Sequence, residues 1–425
     1  MLRIRSSNSR SPFLPAELRG PLLAGAAVFV ASWLFVSFVP VFSEWLYGDV
    51  RFYETWGSYL ANRQVPYRDF RIEYPPGALA TFMAPVYLRK LFGYHGSYYF
   101  WFRVEILAFG LLASYAMAWA LAFLGASRRR AYASLCVAGI GPALLGPIAL
   151  ARYDYWPALL TVAAVAALVA RRPAVACGFA AAGAVAKIFP ILLVPLALIE
   201  LWRQGGARAV ARGAGVVVAV IGALVGPLAA IAPDGITWAL HRQLVRPLQV
   251  ESLGAAVLAA AHELANVRLH VVKSAGSDNL IGSGPHLAST LSGIATLVAL
   301  VAVYVGYARS ARTREQLVAA CAAAVTAYIC FSKVFSPQYL VWLIPLVPLV
   351  GGRRGVRASA LLVVILGITQ IWEPYRYFQY YTTFTPWLTW LVIARDLLVL
   401  VLLGVLVRPS ERNADELDPV RAAVV

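Results

Sequence analysis

Five stretches of this sequence run for about 18 residues or more without a single charge: Gly20–Ser43, Ile106–Ser127, Gly213–Pro233, Leu287–Ala308 and Val334–Gly352. Apolar runs of that length match the hydrocarbon thickness of a bilayer when coiled as a helix. Backbone groups in lipid must find partners within their own segment, which favours helices or closed barrels. The chain is therefore read as an all-α polytopic membrane protein. Composition agrees: 13% of the 425 residues are charged, against about 25% in soluble domains.

The net charge of +17 raises nucleic acid as a partner. The distribution of the arginines excludes it, because most stand in short loops between apolar runs, the positive-inside pattern. The four cysteines (Cys136, Cys177, Cys321, Cys330) lie inside apolar segments without ligand spacing and read as small core residues. The first apolar run exceeds a secretory h-region of about 7–15 residues and reads as an uncleaved first helix.

Alternation sets the topology. With Arg3, Arg5, Arg10 and Arg19 in the cytoplasm, every second short loop is arginine-rich: Arg128–Arg130, Arg171-Arg172, Arg203–Arg212, Arg309–Arg314, Arg353–Arg357 and the tail from Arg408. About twelve helices result, both ends inside. Residues 1–410 form one transmembrane domain and residues 411–425 a short polar cytoplasmic tail. Pro76–Phe92 would break the parity if it crossed, and it carries Arg89 and Lys90 on its last turn. It is read as a helix lying on the outer interface. Pro173–Ala186 and Ile188–Ile199 flank Lys187; parity prefers two short helices over one kinked helix. Two outer loops are long, residues 44–97 and 232–286, and loops of that length tend to carry function.

The first long loop holds "YGDVRFYETWGSYLANRQVPYRDFRIEYPPGAL". Tyr53, Trp56, Tyr59 and Leu60 recur at helical spacing, so an amphipathic helix begins near Asp49, which is either its N-cap or a catalytic carboxylate. Asp69 and Glu73 are either partners of Arg68 and Arg71 or substrate ligands. Tyr47, Tyr53, Trp56 and Tyr74 either stack on a sugar or sit in a headgroup belt. Arg152 and Asp154 ("ALARYDYWPALL"), Lys187 ("AVAKIFP"), His241, Arg246 and Glu251 in the second long loop, and Lys333 and Gln338 ("FSKVFSPQYLVWLIP") fall on the same outer side. Ionisable residues bordering the hydrocarbon are costly and mark function, or snorkel singly to a headgroup. Four cations on one side (Arg152, Lys187, Arg246, Lys333) point to a shared anionic ligand. Arg395 and Asp396 interrupt the last span; adjacent residues do not face each other on a helix, so each is expected to pair elsewhere.

An acid just after the first helix, followed by "PYRDFRIEYPPGAL", resembles the GT-C membrane glycosyltransferases, and within them glycosyltransferase family 87. "ARYDYWPALL", "AVAKIFPILLVPLAL", "RPLQVESL" and "FSPQYLVWLIP" extend the resemblance over nearly the whole chain. It implies a GT-C-like bundle in a bacterial plasma membrane. It also implies a polyprenyl-phosphate sugar donor, mannose first among the sugars, a lipid or glycan acceptor on the outer face, and inversion at the anomeric carbon. Asp49 best matches the family's catalytic acid, with Glu44, Asp69 and Glu73 as alternatives. Arg152, Lys187, Arg246 and Lys333 are then the donor-phosphate ligands. Asp69, Glu73, Tyr74, Asp154, His241, Glu251 and Gln338 are candidates for binding substrate. No Asp-x-Asp or ligand cluster argues for a metal, and no cofactor is expected. A secondary transporter or lipid flippase is the competing class, favoured by the proline-interrupted Lys187 region and Arg395-Asp396, and disfavoured by the absence of an internal repeat. A non-catalytic scaffold explains the hydrophobicity but not the acids and arginines at one mouth.

Overall fold

The computed structural model describes residues 14–310 and 313–408; Arg3, Arg5, Arg10 and the tail 411–425 lie outside the described residues. Seven helical stretches among the described residues are long and apolar enough to cross a membrane. They include α1 (Ala16–Phe38), preceding the first long loop, whose helices are α2 (Val50–Ala61) and α3 (Leu79–Leu91). α3, of 13 residues, rises only about 20 Å, short of a hydrocarbon core of about 30 Å. Beyond it come α4 (Tyr98–Phe123), a second apolar span, then α5 (Arg128–Leu145) and a single turn, α6 (Pro147–Leu150). α7 (Tyr155–Val169) and α8 (Pro173–Ala186) are apolar but short.

α8 ends at Lys187, whose φ of −160° and ψ of 134° are extended. A 3₁₀ turn, Phe189–Leu193, then leads into α9 (Val194–Ile231). The chain is thus broken at Lys187, as parity preferred. α9 is itself two helices. Gly205 and Gly206 leave helical dihedrals (φ −157° and +60°), and a Cβ on Gly213 would lie 2.2 Å from Leu201 Cδ1. Twelve residues of straight helix would separate them by about 18 Å, so the chain doubles back as a helical hairpin with Arg203, Arg208 and Arg212 at its bend.

The second long loop holds α10 (Pro233–Leu244), β1 (Leu248–Gln249), α11 (Leu253–Ala265), β2 (His270–Ser274) and β3 (Ser277–Ile281). The strands form a small antiparallel sheet in the order β1-β3-β2, which the sequence reading did not anticipate. α12 (Ser283–Arg309) and α13 (Arg314–Phe331) return through the bundle, followed by α14 (Gly352–Trp372), α15 (Tyr377–Thr383) and α16 (Pro386–Val407). Of these, α12, α13, α14 and α16 are long and apolar enough to span.

The run Val334–Gly352, expected as a spanning helix, is not an α-helix. Two 3₁₀ turns, Pro337–Trp342 and Val347–Leu349, are joined by non-helical chain. Pro337, Pro345 and Pro348 each remove a backbone donor. Irregular backbone at membrane depth is tolerated only where protein covers it, and nearly every residue from Pro337 to Val350 is buried. Freed carbonyls are met by side chains: Ser134 Oγ donates to Pro348 O at 2.6 Å, and Arg130 Nη2 to Leu349 O at 2.7 Å. Arg130 also grips Glu315 of α13 through both terminal nitrogens.

Candidate active site

Asp49 occupies the position before α2, yet its side chain makes no capping hydrogen bond, and its φ of −73° and ψ of −13° are helical. Its Oδ2 instead meets Arg152 Nε at 3.2 Å. Arg152 follows α6 and donates from Nη1 to Ala151 O at 3.0 Å. Gly48, with φ +26°, gives the guanidinium room: a Cβ there would lie 2.7 Å from Arg152 Nη1. Burial works against the charge on Arg152, but Asp49, then Tyr53, Tyr74 and Glu373, outweigh it, and the group stays above its usual range.

Arg152 lines a cavity of about 510 Å³ with Glu44, Trp45, Gly48, Arg51 and Glu373 among the other walls. Asp49 is set back between Gly48 and Arg51 and reaches the cavity's edge through Arg152. Glu44, one alternative acid, stands in the wall itself. Glu373 is not among the residues that the sequence singled out. It caps α14, and its Oε2 is buried with no hydrogen-bond partner among the described residues. Burial pushes its carboxyl up to about 8, against the pull of Arg152 and Arg395 and with the help of Asp278 and Asp49.

The second centre is Lys187. Its ammonium lies 2.6 Å from Asp154 Oδ1, which also accepts from Trp342 Nε1 at 2.6 Å. The rings of Tyr153, Tyr339 and Trp342 surround the cation at 5.2–5.4 Å, a cation–π cage. Trp342 and Tyr339 come from the irregular segment, so the unwound chain supplies the cage. The "YPPG" turn packs on the end of α8 just before Lys187: a Cβ on Gly77 would lie 2.8 Å from the backbone of Val185 and Ala186, and Trp156 Nε1 donates to Gly77 O at 3.2 Å. Burial pulls the Lys187 ammonium below its usual range; Asp154 resists, and Arg152 and Arg246 lower it further. Burial also lowers Lys333, with Arg246 adding to the fall. The four expected cations are thus linked in pairs, Arg152 and Arg246 to Lys187 and Arg246 to Lys333, but of the four the cavity wall holds Arg152 alone. Arg246 donates to Ser277 Oγ on β3 at 3.1 Å, and Lys333 to Leu244 O at 2.7 Å.

Other candidates sit elsewhere. Asp69 pairs with Arg68 at 2.9 Å and accepts from Val65 N at 2.7 Å in an exposed turn. Glu73 pairs with Arg242 of α10 at 2.8 Å rather than with Arg71, which lies over the Trp238 ring; this pair joins the two long loops. His241 is exposed on α10, and Gln338 accepts from Ser336 Oγ at 2.7 Å. Glu251 is buried and accepts from Gln249 Nε2 at 2.6 Å; burial first, then Glu373, raises its carboxyl well above the usual range. Tyr74 is partly buried, its hydroxyl 3.5 Å from that of Tyr53. Tyr53 is fully buried and stacks on Phe82 with centroids 4.4 Å apart, so it is core, neither a sugar platform nor a headgroup anchor.

Arg395 and Asp396 correct the expectation of separate partners: Arg395 Nε lies 2.7 Å from Asp396 Oδ1. The long arginine side chain folds back along its own helix in a site where both residues are buried. It also donates to Glu251 O at 2.9 Å and lies over Phe335 at 4.0 Å. No family model matches the chain, and no curated protein matches it.

Proposed function

We propose that the chain is a membrane hexosyltransferase of GT-C-like architecture. It transfers a sugar, mannose foremost, from a polyprenyl phosphate to a lipid or glycan acceptor on the outer face, with inversion. One observation carries the reading: Asp49 leaves its helix uncapped to meet Arg152 at the edge of the cavity. A carboxylate that forgoes the capping role natural to its position is held for something else.

In this reading Asp49 accepts the proton of the acceptor hydroxyl as the hydroxyl oxygen attacks the anomeric carbon. The bond to the phosphate oxygen breaks, and fixed cations stabilise the departing charge. Arginine suits paired phosphate oxygens, whereas lysine acts as a point charge. Glu44 remains the alternative base, because it lines the cavity. Asp69 and Glu73 recede, each engaged by an arginine. Twelve crossings follow if the α9 hairpin counts as two and α5, α7, α8 and the irregular segment are added to the other six spans. The parity of the arginine loops then sets both ends in the cytoplasm.

The test is transfer of radiolabelled sugar from a polyprenyl phosphate in membranes containing the protein. Asp49→Asn should abolish it with expression intact; full activity in that variant removes Asp49 from the mechanism. The buried Arg395–Asp396 pair within α16 favours a transporter as the second reading. Solute uptake by proteoliposomes without sugar transfer would select it.

A further inference from the structure

Glu373 faces the same cavity as Arg152, beside the apolar walls of Trp45, Ile148 and Pro374. Its Oε2 is out of contact with solvent and has no donor among the described residues. Glu373 is half-buried; charge on Oε2 loses hydration there without gaining a hydrogen bond, whereas the neutral carboxyl avoids that cost and has an O–H to donate. Arg152 and Arg395 favour its ionisation, and Asp278 and Asp49 oppose it; Glu44 and Arg51 stand in the same cavity wall, and Glu251 is itself raised by burial and by Glu373.

An anionic substrate drawn to Arg152 would be repelled by a carboxylate in the same wall. It would be attracted by a neutral carboxyl. Resting on the transferase reading, we infer that Glu373 is a binding residue that donates its carboxyl hydrogen to an oxygen of the lipid phosphate held by Arg152. No covalent step is involved. The proton stays on Glu373, and the hydrogen bond is lost when the group ionises. Sign follows directly: its carboxyl is raised, to about 8, so the donor is present below that pH and disappears above it.

The experiment uses the full chain in detergent micelles and a short-chain prenyl phosphate as probe. Binding is read from tryptophan fluorescence, since Trp45 lines the cavity. Wild-type affinity should fall about tenfold between pH 7 and pH 9 from the loss of this proton. Titration of any other group is common to both proteins, so the readout is the ratio of wild type to Glu373→Gln. The glutamine keeps a neutral donor; it should bind within about twofold of wild type at pH 7 and lose the Glu373 part of the pH dependence. Glu373→Ala should bind about tenfold more weakly at pH 7. An unchanged pH profile in Glu373→Gln overturns the inference. So does a glutamine variant as weak as the alanine variant, or no prenyl-phosphate binding by wild type. Inorganic phosphate or glycerol phosphate binding with the same pH signature and affinity would mark a site for free anions or phospholipid headgroups and overturn the lipid-carrier assignment. Sugar transfer with an unaltered glutamine profile sinks this inference alone. The full pH signature without any transfer sinks the transferase reading alone.

Discussion

The pair Lys187–Asp154 separates structural from chemical roles most sharply. Asp154 is fully buried and holds both the Lys187 ammonium and the Trp342 indole at 2.6 Å. Replacing Asp154 by alanine strands a buried cation inside a ring of aromatics and leaves an indole N–H without its acceptor. Breaking one side of a buried ion pair costs about 3–5 kcal/mol. The loss of the indole's acceptor adds about 1–3 kcal/mol. Lys187→Met removes the charge but keeps the volume of the stem. Pairing it with Asp154→Leu replaces the ion pair by apolar packing, which is often neutral. The double variant should therefore recover most of the stability lost by Asp154→Ala, leaving chiefly the indole term. The assay is thermal unfolding in one detergent, run beside sugar transfer on the same preparations. If the lysine only fastens the fold, the recovered double variant regains transfer. If its charge also serves the donor phosphate, the double variant is stable and inactive. An Asp154→Ala variant within about 0.5 kcal/mol of wild type would refute the reasoning, as would a double variant no more stable than the single one.

Further outcomes are expected elsewhere. Asp49→Asn should lower transfer by about 10²–10⁴-fold if a positioned base is lost, with no more than about 1 kcal/mol of stability lost, because its helix is not capped by that side chain and its pair with Arg152 is partly exposed. Gly77→Ala should destabilise by about 1–3 kcal/mol, since the new Cβ meets the Val185 and Ala186 backbone at 2.8 Å; a shift of the unfolding midpoint checks it. Glu73→Gln should cost no more than about 1 kcal/mol, because its pair with Arg242 is partly exposed, and transfer should persist; loss of transfer with the fold intact would return Glu73 to the list of bases.

Much of this arrangement was legible in the sequence because hydrophobic runs and arginine placement act locally. The break at Lys187 followed from charge inside an apolar stretch and parity, and a helix after "YPPG" followed from its apolar run and basic last turn. Asp49 was legible as a position, but only the packed structure distinguishes cap from ion pair. Other features depend on contacts that no local pattern encodes. An apolar run specifies depth in a membrane, not helicity, so Val334–Gly352 read as a span until three prolines and burial of nearly every residue from Pro337 to Val350 gave it an irregular path. The strands His270–Ser274 and Ser277–Ile281 mix polar and apolar residues without clean alternation, and they close on a tight turn at Ala275-Gly276. Glu373 carried no motif; its character comes from being covered by residues far away in the chain.

A count of charges narrows where an anion can go. Arg152 is matched by Asp49, and Lys187 by Asp154. Arg246 and Lys333 form no ion pair among the described residues; each spends its donors on a neutral oxygen, a serine hydroxyl and a backbone carbonyl. The surplus charge in this field thus belongs to the pair contributed by the second long loop and the start of the irregular segment. Under the proposed function, a phosphate first attracted there would bind Arg152 beside Asp49, whose Oδ2 meets Nε, and compete with it for the guanidinium's charge. That competition has a chemical use. A guanidinium has enough donors to bind phosphate through one edge and release the carboxylate from another. Donor arrival would then free the oxygen that must receive the acceptor's proton, and without donor the base stays held. The coupling needs Arg152 to sit between cavity and carboxylate, which is the position Gly48 makes possible.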